Sequence, residues 1–182
     1  MSGLPAGLVA ATLAAVLAGP LAAPVAGAEA AGAEPAAPHP APAQPAPAQP
    51  ATVRPCGDGE RIDTLAEPWE ESTATYAEGK IRVAALDTVE PAGAPFHLLV
   101  LSPPADETGM FRQCQVVSLS GRTGFRGMDF PARKASYDPV RGLTLAIPVE
   151  VHDPERGDGA PRTLTVTIDQ STGRVRGETS PR

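Results

Sequence analysis

The chain has 182 residues, 42% of them apolar, with 15 basic and 21 acidic side chains and a formal net charge of −6. Alanine near the start inflates the apolar fraction: between 54 and 182, Ile, Leu, Val and Phe number 27 of 129, about 21%, just above the roughly 20% below which chains tend to stay disordered. Length and composition exclude a large buried core and a two-domain enzyme.

Residues 1–28 carry no charged side chain and end in small residues, with Ala26-Gly27-Ala28 and Ala28-Glu29-Ala30 both readable as signal-peptidase sites. The pattern predicts a signal peptide over 1–28, although no Lys or Arg precedes the apolar run. An uncleaved membrane anchor is the competing expectation; Pro20, Pro24 and the many Gly and Ala count against it. Arg outnumbers Lys 13 to 2 and Asn is absent, a bias that resembles GC-rich bacterial coding and points to a periplasmic or secreted protein.

Residues 29–53 hold seven Pro and only two charges, Glu29 and Glu34, and PAPAQ repeats at 40–44 and 45–49. Proline fixes its own φ and pushes its predecessor towards extended backbone, so this stretch is expected to be a disordered, polyproline-like linker. It reads as a stand-off, a ligand for a proline-binding domain or a low-complexity tail. His39 lies within it.

The single folded domain is expected over 54–182. Cys56 and Cys114 are its only cysteines, and an even count in an exported chain favours a disulfide over metal thiolates or a redox pair. After it, 72–77 reads as a strand paired with 80–86 across Glu78-Gly79, or as a short helix that starts at Pro68 before Glu70 and Glu71. Further strands are expected at 96–102, 112–119 and 124–130.

The C-terminal half is the most regular. Leu143, Leu145, Ile147, Val149 and Val151 alternate with Thr144, Ala146, Pro148 and Glu150, and Leu164, Val166 and Ile168 alternate with threonines, the period of a half-buried strand. Pro148 must face away from a neighbouring strand or lie at an edge. Asp138, Asp153 and Asp169 each precede Gly by four positions, at Gly142, Gly157 and Gly173. Asp accepts a backbone hydrogen bond two residues on, and Gly supplies the positive φ that closes such a turn. Three such turns predict a meander of strands at 130–137, 142–151, 162–169 and 173–177. The expected fold is all-β: a small antiparallel sandwich or partly open barrel of seven or eight short strands.

Chemistry-bearing motifs are sparse. His97 lies in an apolar strand and His152 opens a turn; with Ser118, Ser120 or Ser136 they are the available base and nucleophile types, but no catalytic motif surrounds them. Asp153, Glu155 and Asp158 fail the calcium-loop register because Gly157 and Asp158 fall at its fifth and sixth positions. Arg156-Gly157-Asp158 resembles an adhesion triplet that the turn itself explains. No metal site or cofactor is implied.

Charge is segregated. Residues 58–71 carry a net −5 and residues 112–141 a net +4. Either the two segments neutralise each other, or Arg122, Arg126, Arg133 and Lys134, interleaved with Phe125 and Phe130, form an anion-binding patch. The domain holds 15 basic against 19 acidic residues, so no nucleic acid partner is expected, and a membrane only if the N-terminal segment stays attached. The expected function is that of an exported, non-enzymatic accessory or binding domain of the bacterial cell envelope, with an unknown protein or an anionic envelope component as partner. The alternatives are a small-ligand carrier with an apolar pocket near Phe96, Phe125 and Phe130, and a hydrolase or isomerase whose site assembles from His97, His152 and Asp153.

Overall fold

The computed structural model describes residues 47–182 apart from 90–92, 106 and 156. The expected signal peptide, most of the linker with His39, and Arg156 of the adhesion-like triplet lie outside the described residues. The described chain folds as β1 (Gln49–Pro55), a 3-10 turn (Ile62–Thr64), α1 (Trp69–Ser72), β2 (Thr73–Tyr76), β3 (Ile81–Asp87), β4 (Phe96–Ala105), β5 (Arg112–Ser118), β6 (Gly127–Met128), β7 (Lys134–Asp138), β8 (Gly142–His152), β9 (Gly159–Ile168) and β10 (Val175–Pro181).

All strand pairs are antiparallel, in the order β2-β3-β4-β5-β1-β10-β9-β8-β6, with β7 also on β8. The sheet curls into a half-barrel, so the open-barrel form of the expected fold is the one adopted. Its inner face holds one continuous core, with Val83, Val100 and Val117 from one half and Leu145, Ile147, Leu164 and Ile168 from the other.

The expected meander is present. Asp138 accepts from the N–H groups of Val140 and Arg141, Asp153 from Glu155 and Asp169 from Ser171. Each turn closes on a glycine of positive φ, +89° at Gly142, +71° at Gly157 and +71° at Gly173. At Gly142 the need is double, because a Cβ there would collide with the carbonyl oxygen of Ile168. Pro148 pairs with Thr163 of β9, and its carbonyl on the other side accepts from Asp129 between β6 and β7. The missing N–H therefore faces the gap between two short strands.

The linker expectation is corrected at its end. Gln49–Val53 is not linker but the first five residues of β1, which joins the two halves of the sheet: 49–51 pair with β10 and 52–55 with β5. Pro50 and Pro55 fall in stretches with one neighbour each, where a residue without an N–H is tolerated. Both readings of 68–77 are realised in sequence, one helical turn and then β2. The expected strand at 124–130 shrinks to β6 because Phe125 turns inward and Asp129 caps a turn through the Ala132 N–H.

Candidate functional site

A groove of about 770 Å³ runs along β1, β9 and β10. Val175 of β10 is buried in the core, while Arg176 and Glu178 of the same strand and Arg174 just before it are exposed. In β9, Leu164, Val166 and Ile168 turn to the core and leave Thr165 and Thr167 on the outer side. The pairings Arg176 to Thr167 and Glu178 to Thr165 set these polar groups side by side. Val140 and Arg141 of the β7–β8 turn close one end, and Ala48, Pro50 and Ala51 form the β1 wall.

Two turn aspartates fix this geometry. Asp138 holds the Val140 and Arg141 N–H groups at 2.8 Å each and so anchors the backbone of Arg141. Asp169 accepts from the hydroxyls of Thr172 at 2.6 Å and Ser171 at 2.7 Å and from both of their N–H groups. The Thr172 and Ser171 hydroxyls, then the backbone bonds, hold the Asp169 carboxyl far below the usual carboxylate range. The N–H groups of Arg141 and Val140 lower that of Asp138. Both carboxylates are thus committed to their turns.

Among the described residues, none of the guanidinium groups of Arg141, Arg174 and Arg176 has a hydrogen-bond or ion-pair partner, and the ion pairs are Arg54–Glu60 and Arg61–Asp63. The groove thus presents three guanidinium groups without a hydrogen-bonded partner, of which Arg141 also acts through its charge on Asp138, and two threonine hydroxyls, with Glu178 as its one uncommitted carboxylate. Guanidinium groups in this state suit carboxylate or phosphate oxygens.

The four residues expected to form an anionic patch stand in separate settings. Arg122 is exposed in the turn after β5, where the Gly121 N–H donates to Thr52. Arg126 donates to the Gly157 carbonyl. Arg133 donates to the Tyr76 hydroxyl and the Phe130 carbonyl and lies 4.3 Å over the Phe130 ring. Lys134 is exposed at the start of β7. The acidic segment 58–71 forms no ion pair with 112–141 among the described residues. The sequence did carry a signal for the groove: Arg174-x-Arg176-x-Glu178 has the same period of two as Thr165-x-Thr167.

Phe125 and Phe130 are fully buried in the core, and Phe96 is half-buried against it. His97 Nδ1 lies 2.9 Å from Ser118 Oγ, with both residues buried where β4 and β5 face each other. Glu60 approaches this pair on the same side of the sheet, bound by Arg54 at 2.6 Å and by the Gly57 N–H at 2.5 Å. Burial pushes the Glu60 carboxyl up, but the Arg54 and Gly57 hydrogen bonds and the charges of Arg54 and His97 outweigh it and leave the pKa lowered. His152 is exposed at the end of β8, and Asp153 accepts the Glu155 N–H.

Cys56 and Cys114 form the expected disulfide, with their Cα atoms 5.3 Å apart. Among the described residues, no helix is long and apolar enough to cross a membrane, and no group of three or more His, Cys, Asp or Glu is placed to hold a metal ion. No family model, curated protein or solved structure matches the chain.

Proposed function

We propose that this is an exported, non-enzymatic binding domain of the bacterial cell envelope, periplasmic or secreted, and that its ligand is an anionic envelope component held in the β1–β9–β10 groove. The observation that carries the reading is the trio Arg141, Arg174 and Arg176, three unpartnered guanidinium groups around one groove. The disulfide supports the export reading, since such bonds persist in oxidising compartments. The two committed aspartates add to it, because their satisfied carboxylates compete less for the arginines.

Calorimetric titration with two probes tests this: polyphosphate for phosphate oxygens and polyglutamate for carboxylates. Wild-type protein is expected to bind at least one of them, with affinity falling as salt rises. A charge-assisted hydrogen bond contributes about 1.5–3 kcal/mol, so each Arg→Ala change in the trio lowers affinity roughly ten- to a hundredfold. Arg122→Ala and Arg126→Ala, outside the groove, leave it unchanged. Absence of binding to both probes, or equal binding by the triple variant, rejects the proposal.

A further inference from the structure

The sheet is curled but not closed, so its outermost strands keep unpaired edges. β7 pairs only with β8, and all five of its residues are exposed. An exposed edge is a template for another strand unless proline, a bulge or charge blocks it. β7 has no proline or glycine, and its two charges sit at opposite ends: Lys134 first, Asp138 last, with Ala135, Ser136 and Tyr137 between them.

That order is self-complementary. Two copies of β7 paired antiparallel about Ser136 set Lys134 of each opposite Asp138 of the other, and Ala135 of each opposite Tyr137. The faces agree as well, because directly paired residues point to the same side of a sheet. Within the monomer Tyr137 pairs with Leu143 and Ala135 with Leu145, both core residues. Ala135 and Tyr137 therefore carry the inner layer past its edge, where Tyr137 is 66% exposed. A groove of about 540 Å³, lined in part by Tyr76, Tyr137 and Leu143, opens beside them. Lys134, Ser136 and Asp138 fall on the outer side.

Other registers lose these matches. A one-residue slip sets the apolar row against the charged row. A two-residue slip leaves three paired residues and neither ion pair. Parallel pairing in register sets like charges side by side, which is destabilising. Of the other outermost strands, β6 is two residues long, and β2 reads Thr-Ala-Thr-Tyr with no charge to orient a partner.

We infer that the protein self-associates as a two-fold symmetric dimer through β7, with β8-β7-β7-β8 continuous across the interface and two Lys134–Asp138 ion pairs between the copies. A five-residue ladder buries far less than the roughly 1,600 Å² of a standard interface, so the dimer is weak and concentration-dependent.

Sedimentation velocity of the oxidised full chain from about 1 μM to 1 mM covers the range of weak specific association. The expected result is a shift from monomer to dimer, and Lys134→Glu, which opposes Asp138 with a like charge, raises the dissociation constant roughly tenfold at low salt. Ser136→Cys tests the register, because this pairing sets position 136 opposite itself, within disulfide reach. It is expected to give a cross-linked dimer on mild oxidation, whereas Tyr137→Cys, diagonal to its own copy, and Glu155→Cys, on the β8–β9 turn, are not. Monomer throughout, dimers indifferent to Lys134→Glu, or cross-linking through Tyr137→Cys instead of Ser136→Cys would each overturn the inference. The Lys134 variant changes only an exposed side chain, so its result stands even if the cysteine variants misfold.

Discussion

The two halves of the curled sheet are specified by different means. In the β8–β9–β10 half, each turn is pinned by an aspartate at its own start, and β8 and β9 run ten consecutive pairs without a register break. Its apolar residues share one face. The β1–β5 half is joined by contacts distant in sequence: Cys56 to Cys114, Arg112 to the Gly79 and Lys80 carbonyls, and Gly121 to Thr52. It also buries a second face, with Leu86, His97, Val116 and Ser118 shielded from solvent apart from the main core. The second face takes its cover from the segment after β1, where the Ala66 N–H reaches Ala85 and Glu60 reaches Arg54. A half that needs a cover on each face depends on whatever fastens the cover.

The largest expected effect comes from removing that fastening. Cys56→Ser with Cys114→Ser opens a loop with a sequence separation of 58 and is expected to lower stability by about 4 kcal/mol in the chain-entropy model. Hydrogen exchange should show protection falling first in β1–β5 while β8–β10 stay protected. Equal loss in both halves would break the comparison.

Arg54→Ala comes next. It leaves the Glu60 side chain, 5% exposed, without its cation. Breaking a fully buried pair costs roughly 3–5 kcal/mol, and with Arg54 itself 25% exposed the expected loss is about 2–3 kcal/mol, read from urea unfolding. The same pair gives the half its acid sensitivity. Glu60 has a lowered pKa in the folded state, so its contribution is complete above the unfolded value of about 4.3 and is lost as pH falls through the folded value. Wild type should therefore lose stability below about pH 4.3 more steeply than Arg54→Ala does.

A smaller and local effect is expected in the other half. Asp169→Ala removes four hydrogen bonds from one exposed turn. It should lower the urea midpoint by less than Arg54→Ala and leave protection in β2–β5 unchanged. It should also reduce ligand affinity, because that turn precedes Arg174 and Arg176 on the groove rim.

This difference also explains what the sequence revealed. Alternating Leu, Ile and Val in β8 and β9 and the three Asp-x-x-x-Gly turns are local signals, and they located the meander to within a few residues. β1 was invisible because Gln-Pro-Ala-Thr-Val-Arg-Pro has two prolines and little apolar surface; it is a strand because β5 and β10 each offer it an edge. The pairing of His97 with Ser118, 21 positions away, is set by the β4–β5 register and by nothing in either local sequence. The clustered arginines of 112–141 were the conspicuous ones, yet Arg126 and Arg133 use their donors on backbone carbonyls and Tyr76. The groove instead gathers Arg141 from one turn, Arg174 from the end of another and Arg176 from β10, a set that only the pairing order brings together.

The smallest predicted effect concerns the β2–β3 turn, whose residue types oppose its geometry. Ala77 and Glu78 adopt φ of +51° and +55°, and the Gly79 N–H returns to the Tyr76 carbonyl. Two successive left-handed residues match the twist of a tight hairpin, but a side chain there costs about 1–2 kcal/mol per residue. Glycine removes that strain and adds chain entropy to the unfolded state, worth about 0.5–1 kcal/mol in the opposite direction. Glu78→Gly should therefore stabilise the protein by up to about 1 kcal/mol, seen as a higher urea midpoint with an unchanged slope. The gain should be larger in the Cys56→Ser/Cys114→Ser background if β2–β3 belongs to the half that the disulfide fastens, since coupled sites depart from additivity. Equal gains in both backgrounds would place the β2–β3 hairpin outside that cooperative unit and narrow the stapled half to β1, β4 and β5.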